Sequence, residues 1–189
     1  MTDPDRGGDR SPGQLVRPLI RVRQYRQFTD EPLTDREIGA IVDAARWSGS
    51  SRNSQPWRFI VIRDRSTILR LHDAGLPQTR SLATALAAVA IVVPADTEDA
   101  ESYAYDEGRA AERMLIAASF LRVGAGIAWL LPAIQPMAGQ LLGLPDDRLC
   151  RTIVVLGHPT DEARAPKLGA EKARLPRDEV VFEERWPAG

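Results

Sequence analysis

The chain is poor in residues that bind metals or form cross-links: its 189 residues include one cysteine, Cys150, and two histidines. A single cysteine excludes an internal disulfide framework, and this Cys/His set is too small for the usual structural zinc site. We therefore expect no metal. Cys150 directly precedes an apolar run, so we interpret it as a small buried side chain rather than a reactive thiol.

The chain also lacks an excess of charge, because 25 basic residues stand against 26 acidic ones and give a net charge of −1. This balance gives no electrostatic reason to expect nucleic acid or an anionic membrane as a partner. No apolar stretch approaches the roughly 20 residues of a membrane span, and the start is polar rather than signal-like. We expect a soluble, cytoplasmic protein that binds a small neutral-to-anionic molecule.

With 43% apolar residues the chain can bury one substantial core, which predicts a single domain over residues 17–189. Residues 1–16 are rich in Asp, Arg, Gly, Ser and Pro, and this composition predicts a disordered leader. The tail over residues 178–186 alternates Val180, Phe182 and Trp186 with charged residues. An apolar arm without a partner of its own suggests exchange with a second subunit.

Local patterns predict an α+β sandwich. Thr34 and Glu37 form a capping box before a helix with apolar residues at helical spacing. Strands are predicted at residues 59–63, 88–93 and 152–156, with one more ending at Trp129. Further helices are predicted at residues 66–74 and 103–123, and a last one ending near Gly143; residues 103–123 form the longest, with a stripe of Ala111, Met114, Leu115, Ala118 and Leu121.

Residues 48–57, Ser-Gly-Ser-Ser-Arg-Asn-Ser-Gln-Pro-Trp, are the most informative segment, and we call them the cradle. Small hydroxyl and amide side chains crowd a bend between a predicted helix and a predicted strand. Such a bend lets a flat ligand approach both the side chains and the backbone. The segment therefore predicts a ligand site.

Two clusters, residues 21–26 and 172–176, carry most of their charge as arginine and include Lys172. Arginines from distant parts of a chain can converge on the phosphate of a mononucleotide, although each cluster alone is typical of a solvated surface. Gly124-Ala125-Gly126 has two interpretations at this point. It is either a helix cap followed by a tight turn, or a place where the backbone closes on a planar ring.

These motifs together resemble the flavin-dependent nitroreductase family over nearly all of residues 20–186. Residues 23–32 are similar to the family's Arg-Ser-x-Arg-x-Phe opening, and the cradle is similar to its Ala-Pro-Ser-x-x-Asn-x-Gln-Pro-Trp segment. Residues 122–126 resemble its Gly-Leu-Gly turn, and residues 172–176 resemble its C-terminal phosphate motif. The resemblance implies that FMN is bound by Arg23, Gln24, Arg26, Gly49, Ser50, Asn53, Gly124, Ala125, Lys172 and Arg174.

Four positions depart from the family pattern. Gln24 replaces its serine, Val22 replaces a frequent arginine, Gly49 replaces its proline, and Arg122 replaces the first glycine of its turn.

The resemblance implies a homodimer with FMN at the subunit interface and exchanged terminal arms. It implies a ping-pong oxidoreductase in which NADH or NADPH reduces the flavin and a nitroaromatic, quinone or similar conjugated acceptor oxidises it. No side chain is nominated as catalytic. Tyr103, Tyr105 and Trp129 either line the acceptor pocket or fill a core or interface. The alternatives are another reaction on the same fold (flavin fragmentation, dehalogenation, deazaflavin chemistry) and a flavin-binding regulatory protein with little turnover.

Overall fold

The structure is a computed structural model that describes residues 11–165 and 174–187. The helices of this part of the chain are α1 (Pro12–Ile20), α2 (Asp35–Arg46), α3 (Arg65–Ala74), α4 (Ala100–Phe120), α5 (Gln135–Leu142) and α6 (Asp161–Arg164). The strands are β1 (Arg58–Ile62), β2 (Ala87–Pro94), β3 (Gly124–Trp129) and β4 (Arg148–Gly157). Each predicted strand is present, with ends that differ by a few residues.

The four strands form one antiparallel sheet in the order β1-β2-β4-β3, so β1 and β3 are its edges. The central strands β2 and β4 are buried over most of their length because helices cover both faces. Cys150 on β4 is fully buried, and burial raises the pKa of its thiol to about 12. The interpretation of Cys150 as a small buried side chain is confirmed.

Successive residues of β2 point to opposite faces and so belong to two cores. Val89 packs with Ile41 of α2 and Met114 of α4 on one face. Ala88 packs with Leu71 of α3 and Ala138 of α5 on the other. The α+β sandwich with helices on both sides of a central sheet is confirmed.

The capping box of α2 is also confirmed. The Thr34 hydroxyl accepts a hydrogen bond from the Glu37 amide at 3.2 Å, and the Glu37 carboxylate accepts one from the Thr34 amide at 2.7 Å. The hydrogen bond from the Thr34 backbone is the main reason why the pKa of Glu37 lies below its usual value.

The structure corrects one residue of the α4 stripe and one boundary. Leu121 follows the last residue of α4 and is 41% exposed, because the chain turns away at the next residue. Residues 12–16 of the expected leader belong to helix α1, and residues 1–10 lie outside the described part. Ser11 and Gln14 form a second capping box, and Pro12 occupies a first-turn position where its missing N–H costs nothing.

Candidate functional site

The cradle has a strained backbone. Arg52, Asn53 and Gln55 have φ angles of 52°, 55° and 49°, in the left-handed region that residues with a Cβ rarely adopt. Each such residue costs on the order of 1–3 kcal/mol and persists only where its surroundings fix it. Residues 51–55 are nonetheless exposed, so packing does not explain their conformation.

Hydrogen bonds and one buried carboxylate fix this conformation. The Ser50 hydroxyl accepts a hydrogen bond from the Gln55 amide at 2.9 Å and closes the loop on itself. Asp106 of α4 is 1% exposed, and its carboxylate oxygens accept from the Ser51 amide at 3.0 and 3.3 Å. Trp57 is 4% exposed and anchors the other end in the core. The cradle is therefore a fixed loop that presents polar groups to the outside.

Gly49 makes room for a guanidinium group. A Cβ built on Gly49 would lie 3.1 Å from Cζ of Arg109 and closer still to its Nη2. Arg109 is held by an ion pair of 3.7 Å with Asp106 and lies 5.9 Å from the centre of the Tyr105 ring. The same buried carboxylate thus anchors both the cradle and a cation beside it.

Two of the three predicted phosphate residues before α2, Arg23 and Gln24, make structural contacts within this chain. Arg23 is exposed and donates hydrogen bonds of 2.7, 3.0 and 3.1 Å to the carbonyls of Ala163, Arg164 and Ala165, where α6 ends. The Gln24 side-chain oxygen accepts from the Ile127 amide of β3 at 3.0 Å. Arg26 is exposed. Their role toward a phosphate stays a prediction.

Gly124-Ala125-Gly126 is not a turn, and this corrects the sequence-based boundary. The turn lies earlier, at Arg122 with a φ of 60°, and β3 begins at Gly124. The Val123 amide donates to the Ala118 carbonyl and the Arg122 amide to the Ser119 carbonyl, which is the Schellman pattern. Arg122 therefore occupies the left-handed position after a helix, where glycine is favoured.

The glycines of β3 serve packing against the chain's own backbone. A Cβ on Gly126 would collide with the Tyr25 carbonyl oxygen, and the Tyr25 amide donates to the Ala125 carbonyl at 2.8 Å. A Cβ on Gly124 would lie 3.1 Å from the Gly157 carbonyl oxygen and 3.0 Å from Cγ of Pro159. Gly124 and Ala125 are buried in this chain, so a flavin contact by either one stays a prediction.

The two predicted halves of the ligand site lie at different edges of the sheet. The segment containing Arg23 and Gln24 runs along the outer edge of β3, whereas the cradle leads directly into β1. Three strand spacings of about 4.8 Å separate these edge strands, or roughly 14 Å. One chain therefore presents the cradle and the Arg23 segment at opposite edges of its sheet.

Of the remaining candidates, Lys172 lies outside the described residues and Arg174 is exposed. Tyr105 is 73% exposed and Trp129 is 45% exposed, so neither fills the core of this chain. Sequence reasoning missed Asp106 and Arg109. Their spacing is that of an ordinary surface ion pair on a helix, and nothing in the sequence indicates that the cradle packs against them.

Comparison with known proteins gives the same assignment as the motifs. The family model described as Nitroreductase family matches residues 21–104. A protein of Archaeoglobus fulgidus, provisionally named NADH dehydrogenase/NAD(P)H nitroreductase, is 34% identical over 79% of this chain and 87% of its own length. The chain belongs to the nitroreductase family. An NADH dehydrogenase of Thermus thermophilus is 29% identical over 86% of the chain and 92% of its own length.

Solved structures of nitroreductases share the fold. The NADPH:FMN oxidoreductase of Vibrio harveyi, solved with NAD+, has a TM-score of 0.78 at 24% identity and covers 92% of this chain and 78% of its own. An FMN-dependent nitroreductase of Clostridium difficile has a TM-score of 0.76 at 20% identity and covers 89% and 98%. Among the described residues, no helix is long and apolar enough to cross a bilayer.

Proposed function

We propose that this member of the nitroreductase family is an FMN-dependent NAD(P)H oxidoreductase. It reduces nitroaromatic, quinone or similar conjugated acceptors by a ping-pong mechanism. Family membership supports an oxidoreductase, and the names of relatives and fold neighbours include NAD(P)H and FMN. The observation that carries the proposal is the cradle, a strained loop with exposed polar side chains that is fixed by a buried carboxylate.

The polar groups of this chain fit FMN. Asn53 and the backbone of the cradle offer donors and acceptors for the rim of the ring or the ribityl hydroxyls. Arg23 uses three N–H groups on carbonyls, and the guanidinium has five, so two remain for a phosphate. Gln24 uses only its side-chain oxygen, which leaves the amide NH₂ as a donor. Arg26, Lys172 and Arg174 would add positive charge.

The proposed enzyme is a homodimer whose FMN sites combine both subunits. Two copies related by a twofold axis can bring the cradle of one chain to the Arg23 segment of the other, which one chain keeps at opposite edges. Helix α1 has no buried residue, and four of its apolar side chains are 46–73% exposed. These side chains are Leu15, Val16, Leu19 and Ile20. Phe120 and Trp186 are 65% and 79% exposed and extend the uncovered apolar surface.

The chain's own residues bind and orient rather than exchange protons. FMN, once held by these residues, would supply the two-electron redox chemistry that links the reduced nicotinamide to the acceptor. The cradle forms one side of the proposed site and already has a fixed conformation, so little loop ordering is needed when the ligand binds. Arginines at the phosphate end neutralise its charge and fix the orientation of the ring.

Anaerobic reduction tests this proposal. The purified protein, reconstituted with FMN, is titrated with NADH or NADPH while its flavin absorbance is recorded. Bleaching followed by recovery on adding a quinone or a nitroaromatic is the expected result. Size-exclusion chromatography with light scattering should give twice the 20.8 kDa chain mass.

The alternatives predict different outcomes of the same experiment. Loss of the flavin itself under oxygen would indicate a fragmentation reaction on this fold, and a coloured protein that NAD(P)H does not bleach would indicate a binding protein. A monomer that takes up no FMN would refute all of these functions.

A further inference from the structure

Arg109 is a cation at the cradle that the family resemblance did not indicate. Its guanidinium lies against Gly49, and its side chain remains 44% exposed. A Cβ at residue 49 would meet this guanidinium. The lack of a side chain at residue 49 therefore lets the guanidinium lie directly against the backbone of the cradle.

Two neighbours on α4 orient the Arg109 side chain. Asp106 is 1% exposed and lies 3.7 Å from Nη1 of Arg109, while its oxygens also accept the Ser51 amide. The Tyr105 ring lies 5.9 Å from Cζ and supports the guanidinium on another side. A guanidinium held by a carboxylate at one end keeps donors at the other, and those donors favour a carboxylate or phosphate oxygen.

We infer that Arg109 is a specificity-determining residue that binds an anionic group of the redox substrate at the cradle. This inference rests on the proposed function, since it assumes that donor and acceptor react beside the cradle. The anionic group is either a carboxylate of the acceptor or a phosphate of the nicotinamide donor. Both present oxygens to the same fork of N–H donors.

The chain supplies a matched control in Arg46 of α2. Arg46 forms an ion pair of 3.2 Å with Asp43 three residues earlier and lies 5.6 Å from the Trp47 ring. Arg109 likewise pairs with an aspartate three residues earlier and lies near an aromatic ring, although Asp106 is buried and Asp43 is exposed. Of these two arginines it is Arg109 that lies against Gly49, so Arg46→Gln removes an ion-paired helix arginine without touching the proposed contact.

The test compares 4-nitrobenzoate with neutral 4-nitrobenzamide as acceptors for the FMN-loaded dimer. In Arg109→Gln we expect kcat/KM for 4-nitrobenzoate to fall about five- to tenfold, because one partly solvated charge-assisted hydrogen bond is lost. The value for 4-nitrobenzamide should change less than twofold. Arg109→Lys, which keeps the charge, should restore part of the preference, and Arg46→Gln should leave the ratio unchanged.

Two further measurements complete the test. Binding of benzoate, which cannot be reduced, is followed by calorimetry and should weaken in Arg109→Gln by the same factor, while benzamide binding should not change. The second measurement tests whether Arg109 binds a phosphate of the nicotinamide donor instead. For this, kcat/KM is determined for NADH and NADPH with 4-nitrobenzamide as acceptor. A fall there, with unchanged acceptor preference and benzoate binding, would assign the anionic group to the donor.

The inference is overturned if Arg109→Gln has the same kcat/KM values as the wild type for both acceptors and both donors. It is also overturned if Arg109→Gln loses FMN while its preference among substrates is unchanged. Failure of the proposed function is distinct, because the wild-type protein would then not oxidise NAD(P)H at all.

Discussion

Replacing Gly126 with alanine tests whether the glycines of β3 serve packing rather than a ligand. The new methyl group would collide with the Tyr25 carbonyl oxygen and lie 3.4 Å from a Val155 methyl. The obstacle is backbone, so the segment before α2 has to move away from β3. That movement strains or breaks two hydrogen bonds, from the Tyr25 amide to Ala125 and from the Ile127 amide to Gln24.

The expected cost follows from these contacts. Overpacking costs about 1–3 kcal/mol, and each hydrogen bond contributes about 0.5–1.5 kcal/mol. If the segment before α2 moves away, the overpacking cost falls but the hydrogen bonds weaken, so the two costs do not add in full. We therefore expect Gly126→Ala to lower the free energy of unfolding by about 2–4 kcal/mol. FMN retention should fall as well, since Arg23 and Gln24 lie on the displaced segment.

The control is Gly39→Ala in α2, where a Cβ meets nothing within 4 Å. Alanine is favoured over glycine inside a helix by about 0.8–1 kcal/mol, so this variant should gain stability. Urea unfolding of both variants, at equal protein concentration and followed by circular dichroism, measures the difference. Equal stabilities for the two variants would refute the packing explanation.

Three other changes test separate parts of the structure. Arg174→Ala should weaken FMN binding by at most about 1.5–3 kcal/mol, as measured by equilibrium dialysis, and unchanged affinity would remove Arg174 from the phosphate site. Arg122→Gly should raise stability by about 0.5–1 kcal/mol, because the left-handed strain of about 1–2 kcal/mol is relieved and the greater freedom of the unfolded chain offsets part of it; a lower melting temperature would contradict this. Hydrogen bonds from Ser66 and Thr67 hold the pKa of Asp64 well below its ordinary value of 3.8. The stability that the Asp64 carboxylate contributes is therefore present above pH 3.8 and is lost as the pH falls further. Asp64→Asn should reduce the acid sensitivity of the melting temperature between pH 4 and 2. If the melting temperature of this variant depends on pH as in the wild type, Asp64 is not a source of the acid sensitivity.

Local patterns predicted the elements well because their signals are local. The capping box at Thr34 lies within one helical turn, and the apolar runs of β2 and β4 are short enough to be identified from neighbouring residues. The end of α4 was harder to predict from the sequence. Whether a chain leaves a helix at Arg122 or at Gly124 depends on which residue adopts the left-handed conformation, and glycine is only the more frequent choice.

The sequence by itself determined the sandwich, the family and the position of the cradle in the chain, because periodicity, capping and motif spacing act between residues close in sequence. Only the tertiary structure decided the partners of these motifs. Gly126 faces Tyr25, 101 positions earlier, and Ser51 meets Asp106 across 55 positions. Such contacts depend on which strands become edges and which helix covers them, and those choices are made by the packing of the whole core.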